Sequence, residues 1–264
     1  MPIVQLVVLA IVQGLTEFIP VSSSAHLILA PHVLNWDDQG RAIDVAAHVG
    51  SLLAVLLYFR RETGQLTRGA FDTVLFRQTD DRHLFLVIAT ATIPLVIFGL
   101  GLAATGVADA MRDPQVIAAA SIFFGIILWV ADRRPTTKDT LPTGWSAALT
   151  IGVAQALATI PGTSRSGITI TAARWLGFDR ENAATFSMLL AIPAISMAGL
   201  YEFLRLLQEG GGAPWSAILI VTGLSFLAAW AAIAIFLRMT RSLDFTVFVI
   251  YRIVLGVLLF IIFS

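Results

Sequence analysis

Two stretches decide the fold: QGLTEFIPVSSSAHLIL at residues 13–29 and PGTSRSGITIT at residues 161–171. Each is a polar, proline-bearing break inside an apolar segment, the first segment covering residues 2–34 and the second 144–176. Crossing ~30 Å of hydrocarbon twice as helix takes about 40 residues, and each segment has only about 33. They are too short for two crossings and too interrupted for one. Irregular polar backbone survives at membrane depth only where protein or a wet cavity satisfies it. The two segments therefore read as re-entrant helical hairpins whose tips meet.

Outward from these breaks, six apolar runs lie at roughly 42–59, 84–105, 115–131, 182–204, 215–237 and 245–263. Each is long enough, or nearly so, to span the hydrocarbon as a helix. Their ends carry turn or polar signals: Arg60-Arg61-Glu62, Asp132-Arg133-Arg134-Pro135, Gly210-Gly211-Gly212 and Arg241-Ser242. Tyr58, Trp129, Trp215 and Tyr251 read as interfacial anchors. The stretch from Arg60 to Arg82 mixes both charge signs and reads as a solvated cytoplasmic loop touching lipid headgroups. The chain is 57% hydrophobic and 13% charged, where a soluble domain carries about 25% charge. The expected fold class is an all-α integral membrane protein with six transmembrane helices and two re-entrant helical hairpins in an inverted-topology repeat. It forms a single membrane domain over residues 1–264, with repeat one at about 1–135 and repeat two at about 140–264.

Charge bias orients this arrangement. With 60–83 in the cytoplasm, that side holds Arg60, Arg61, Arg68, Arg77, Arg82, Arg133, Arg134, Lys138, Arg174, Arg180, Arg238 and Arg241. The far side holds only Arg41, Arg112 and Arg205, as the positive-inside rule requires. Arg165 and Arg252 lie within segments. The first hairpin then enters from outside and the second from inside, as in an inverted repeat. A weak internal match agrees with it: Gln13 precedes Pro20 as Gln155 precedes Pro161, and AAHVGSLLA (46–54) aligns with AATFSMLLA (183–191).

Several classes are excluded. Net charge is zero, so nucleic acid gains no electrostatic support. Cysteine is absent, which removes disulfides, thiolate catalysis and cysteine-ligated zinc. No GxxxxGK[ST] phosphate loop is present. The first Lys or Arg is Arg41, so a cleaved leader is not expected.

The polar breaks carry the candidate chemistry. Gln13 and Glu17 are four apart and share a helical face, and Ser23 and His26 are three apart and can lie close. Pro20 breaks the helix. A second half-helix starting near Ser22, Ser23 and Ser24 would present free N–H groups suited to phosphate. The bland alternative is that these serines are caps and His26 packs, but an acid such as Glu17 at membrane depth reads as functional by default. In the second break, Arg165 offers a planar fork for a phosphate. Ser164, Ser166 and Thr169 add hydroxyls, and Gly162 and Gly167 let backbone approach a ligand. The bland alternative here is a structural Arg165–Glu17 pair. Together the tips suit phosphoryl transfer, with a serine, His26 or a metal-bound water as nucleophile. Glu17 is the base or a cation ligand, and Arg165 stabilises the equatorial oxygens. Asp44 and His48 read either as cavity lining or as an ordinary helix pair, and His32 and His83 as interfacial.

At these residues the sequence resembles the bacterial undecaprenyl-diphosphatase (UppP/BacA) family. GLTEFIPVSSSAHL and PGTSRSGITIT are similar to its two signature motifs, and the resemblance extends to AAHVGSLLAVLLYFR and FVIYRIVLG. It implies an inner-membrane enzyme that converts undecaprenyl diphosphate to undecaprenyl phosphate, with its site opening to the periplasm and a link to bacitracin resistance. It implies Glu17, Ser23, His26 and Arg165 as catalytic residues. Ser22, Ser24, Gly162, Ser164, Ser166 and Thr169 would bind substrate. Glu17 and Gln13 would hold a divalent cation, Mg²⁺ or Ca²⁺. The family's first acidic position is Glu or Gln, and here it is the amide, Gln13. The implied partners are the polyprenyl lipid substrate and membrane lipid, with a homodimer left open. A transporter or flippase of a phosphorylated polyprenyl lipid is the competing expectation, since broken helices meeting at the midplane also suit transport.

Overall fold

The computed structural model describes residues 2–34, 36–37, 39–105, 111–209 and 214–263. Among the described residues the chain is all-α, with eleven helices. The expected glycine turn at Gly210–Gly212 and the side chain of His32 lie outside the described residues.

The first broken segment is α1 (Ile3–Thr16) and α2 (Ser23–Leu34). In α1, Leu6, Leu9, Ala10 and Gln13 are buried at the spacing of one helical face. The helix stops before Pro20, which offers no N–H and disfavours helical backbone just ahead of it. The second broken segment is α7 (Trp145–Ala156), a short 3₁₀ turn (Leu157–Thr159) and α8 (Arg165–Trp175). At 1.5 Å per residue, none of these four helices exceeds about 21 Å.

Five helices are long and apolar enough to cross a membrane. They are α3 (Arg41–Tyr58), α5 (Asp80–Thr105), α6 (Pro114–Asp132), α9 (Arg180–Glu209) and α10 (Trp215–Thr240). The run expected at 245–263 is α11 (Thr246–Ile262), which has 17 residues. The stretch read as a solvated loop is instead largely helical. Residues Arg60–Val74 form α4, which buries Leu66 and Gly69, and α5 already begins at Asp80. The sequence hid α4 because its apolar face is narrow and its charges are mixed.

The broken segments pack by exchange. Helix α1 lies on α10 as well as α3, while α7 lies on α5. A Cβ at Gly14 would stand 2.5 Å from the Ser225 carbonyl oxygen, and one at Gly152 would stand 2.6 Å from that of Ala91. Both contacts are therefore backbone against backbone, as small residues permit between membrane helices. Gln155 donates to the Ala91 oxygen at 3.0 Å, and Ser51 and Ser225 bond across α3 and α10 at 3.1 Å.

One polar knot fastens four helix ends. The buried Asp132 carboxylate takes Arg174 Nε at 3.2 Å, Arg180 Nε at 2.8 Å and the Phe245 N–H at 3.0 Å. Arg174 also donates to the carbonyls of Asp132, Arg134 and Phe178. Arg174, counted on the cytoplasmic side, is buried and fully bonded.

Candidate functional site

The tip of the first segment is built around Glu17. Its N–H closes the last turn of α1 on the Gln13 carbonyl, so the two side chains sit one turn apart on a single face. Gln13 Nε2 donates to Glu17 Oε2 at 2.9 Å, and Ser23 Oγ donates to the same oxygen at 2.6 Å. Across the gap, Arg165 Nη2 lies 3.5 Å from Glu17 Oε1. The structure thus brings together Gln13, Glu17, Ser23 and Arg165 from breaks far apart in sequence, as expected.

The two tips share a backbone device. Ser22 (φ 73°) and Ser164 (φ 70°) each adopt a left-handed conformation immediately before a helix starts. For a serine this costs on the order of 1 kcal/mol, and such strain concentrates at functional turns. The kink lets α2 and α8 begin at Ser23 and Arg165, so the first residue of each helix projects beside Glu17.

Three buried polar atoms on two of these side chains have no hydrogen-bond partner: Gln13 Oε1, Arg165 Nε and Arg165 Nη2. Arg165 Nη1 donates to the Ser187 carbonyl at 2.8 Å, and Nη2 has the longer ion pair with Glu17 alone. Because a carboxylate only accepts, the Gln13 amide must turn its NH₂ to Glu17 and its oxygen away. Orphaned donors and an orphaned acceptor beside one carboxylate are unusual in a native interior. An anion at Arg165 and a cation at Gln13 and Glu17 would satisfy them. Among the described residues no three His, Asp or Glu side chains gather as a metal cage. One carboxylate and one amide oxygen are the kind of hard donors that a Mg²⁺ or Ca²⁺ ion would take.

The other expected residues are placed differently. No hydrogen bond joins His26 to Ser23, which bonds Glu17. Its Nδ1 sits on the Ser22 carbonyl at 2.7 Å and its Nε2 on the Tyr251 hydroxyl. Ser22 and Ser24 share a hydroxyl contact at 3.3 Å, and Ser24 is exposed. Ser164 caps α8 through the Gly167 N–H at 3.1 Å. Ser166 donates to the Ile19 carbonyl of the other tip at 2.9 Å, and Thr169 meets Ser187 Oγ at 2.8 Å. These three hydroxyls are committed inside the protein. Gly162 (φ 92°) and Gly167 make room for protein as well. Added Cβ atoms would stand 2.5 Å from the Ile117 oxygen and 2.7 Å from Arg252 Nη1. The bland reading of this break therefore accounts for its hydroxyls and glycines and, through the Arg165–Glu17 ion pair, for Nη2, but not for the unpartnered Nε of Arg165.

Asp44 and His48 contact their own neighbourhood: Asp44 accepts from Gln39 at 2.8 Å, and His48 Nδ1 sits on the Asp44 carbonyl at 2.8 Å. His83 bonds the Thr143 carbonyl and meets the edge of Trp145.

Two adjacent residues escaped the sequence reading. Arg252, which the sequence places within a segment without a role, is buried more completely than Arg165. Arg252 donates to the carbonyls of Ser121 at 3.2 Å, Gly162 at 2.9 Å, Thr163 at 2.8 Å and Pro20 at 3.4 Å. It thereby staples both tips to α6. Tyr251, expected to be an interfacial anchor, also lies against His26, with ring centroids 5.7 Å apart. The signal for Arg252 was present in FVIYRIVLG, since a cation inside an apolar span needs partners.

The family described as "Bacitracin resistance protein BacA" matches residues 6–258. The chain is similar to the undecaprenyl-diphosphatase of Maricaulis maris, 48% identical with all of both chains covered. It is also similar to that of Teredinibacter turnerae, at 48% identity with 99% of each chain covered. The undecaprenyl-diphosphatase 2 of Stutzerimonas stutzeri is 46% identical, over 100% of this chain and 99% of its own.

Proposed function

The chain belongs to the bacitracin resistance protein BacA family, and from that premise we propose that it hydrolyses undecaprenyl diphosphate to undecaprenyl phosphate and inorganic phosphate. The observation that carries this reading at the site is the buried Arg165 fork, with Nε unpartnered and Nη2 held only by a 3.5 Å ion pair to the carboxylate that Ser23 bonds. Transport would need the fork but not the Ser23–Glu17 pair, and the relatives carry the name of a hydrolase.

Ser23 Oγ attacks the terminal phosphorus as its proton passes to Glu17. The bridging P–O bond breaks, and undecaprenyl phosphate leaves with the electron pair. Arg165 binds the transferring phosphoryl group, whose charge spreads over its equatorial oxygens. Water then attacks the phosphoserine and gives its proton to His26. The P–Oγ bond breaks, the proton held by Glu17 returns to Ser23, and His26 returns its own to phosphate. Ser22 and Ser24 stand beside the nucleophile as substrate contacts, while Gly162, Ser164, Ser166 and Thr169 support the phosphate site by shaping the tip that holds Arg165. A Mg²⁺ or Ca²⁺ ion bound by Glu17 and Gln13 Oε1 would neutralise the diphosphate charge.

The same proposal covers topology. At 17 residues α11 is within the range of a crossing helix, which makes six spans, with the two broken segments entering from opposite faces. The exchanged packing of α1 on α10 and of α7 on α5 supports two inverted halves. The protein then sits in a bacterial inner membrane with the site opening to the periplasm. Purified protein given undecaprenyl diphosphate and Mg²⁺ in detergent is expected to release phosphate. A wild-type rate no higher than that of Arg165→Ala refutes the activity. A Ser23→Ala variant that turns over normally refutes the nucleophile alone.

A further inference from the structure

His26 is held by two partners of unequal chemistry. The Ser22 carbonyl only accepts, so Nδ1 carries a proton. In the neutral ring, Nε2 is then the lone-pair nitrogen, and the Tyr251 hydroxyl is the donor that fills it. The rings lie nearly parallel, with 10° between their planes. Ser22 is fixed by its left-handed backbone, and its carbonyl is also the acceptor of the His26 N–H at 3.4 Å. Tyr251 precedes Arg252, whose four carbonyl contacts fix this turn of α11 against both tips. The imidazole is thus gripped on one side by the first tip and on the other by a helix that the tips cannot move.

We propose that Tyr251 is a positioning residue for His26, holding the imidazole as the Nδ1–H tautomer and keeping Nε2 as the one nitrogen able to take a proton. This rests on the hydrolytic reading above, in which His26 accepts a proton from water. The phenol stands where that water would donate. Exchange of one O–H donor for another on Nε2 then readies the base without rotating the ring. A packed, silent histidine would need neither the fixed tautomer nor the hydroxyl.

Tyr251→Phe keeps the ring and removes the donor. Loss of this orientation is expected to lower kcat by about tenfold, short of the ~10²-fold that loss of a general base itself costs, with KM within about twofold. In a His26→Ala background the same substitution is expected to cost nothing further. Diethyl pyrocarbonate acylates a free lone-pair nitrogen of neutral imidazole. Labelling of His26 should therefore speed several-fold in Tyr251→Phe, while His48 and His83, read by peptide mapping, stay unchanged. Unaltered His26 labelling, or a full additional loss in the His26→Ala background, overturns the assignment. Nitrogen-15 spectra of histidine-labelled wild-type protein test it without a variant, because an Nε2–H tautomer contradicts it. If labelling changes as expected in a protein that releases no phosphate, the hydrolytic reading falls and the positioning role stands.

Discussion

The two tips are alike in backbone and opposite in chemistry. Each enters its second helix through a left-handed serine, Ser22 or Ser164, and each is gripped by Arg252 through its carbonyls. At the first, the side chains face one another and the site: Gln13 and Ser23 both point their donors at Glu17. At the second, most side chains turn inward, to cap α8, to cross to Ile19 or to meet Ser187. Only Arg165 reaches out. A repeated backbone can therefore supply a frame twice, while one copy carries the proton chemistry and the other carries a single cation. The comparison makes graded demands on mutants.

The largest loss is expected from Glu17→Gln, which keeps shape but removes the proton acceptor of Ser23. Turnover should fall by about 10³-fold, within the range for general-base removal. A phosphate-release assay within tenfold of wild type would place the chemistry elsewhere. Next comes Arg165→Lys, which keeps charge but loses the fork; kcat/KM should fall by about 10²-fold, the scale of one lost transition-state donor set. Near-normal turnover would reduce Arg165 to a counter-ion of Glu17 and make the second tip wholly structural. Ser166→Ala deletes the bond between tips at the Ile19 carbonyl. Thermal unfolding in detergent should register about 1 kcal/mol of destabilisation, the net worth of one such bond, with turnover reduced only a few-fold. The smallest effects separate the two serines. Ser22→Gly relieves left-handed strain and should stabilise by about 1 kcal/mol. Ser164→Gly gains the same relief but loses a helix cap, so its melting temperature should rise less. Equal shifts would mean that the Ser164 hydroxyl contributes nothing to α8.

What the sequence revealed was local. Gln13 and Glu17 are one helical turn apart, so their shared face follows from periodicity alone, and Pro20 marks its own break. The short reach of both broken segments followed from counting residues. The partner of Ser23 did not follow: a three-residue spacing to His26 allowed contact, yet the kink at Ser22 turned the hydroxyl back to Glu17 and the ring towards Tyr251. The inward turn of Ser164, Ser166 and Thr169 was hidden too, because a hydroxyl suits a cap as well as a phosphate. Helix α4 was masked by its charges. The roles of Tyr251 and Arg252 depend on partners more than a hundred positions away, where no pattern of spacing reports.

Arg252 also sets an order on the making of the protein. Pro20 waits for a donor 232 residues further along the chain, and the Gly162 and Thr163 oxygens wait for the same guanidinium. Until the last helix is in place, these three carbonyls and that of Ser121 have no answering charge. A nascent chain released before α11 would thus carry every reacting group yet own no finished chamber, and should be silent rather than partly active.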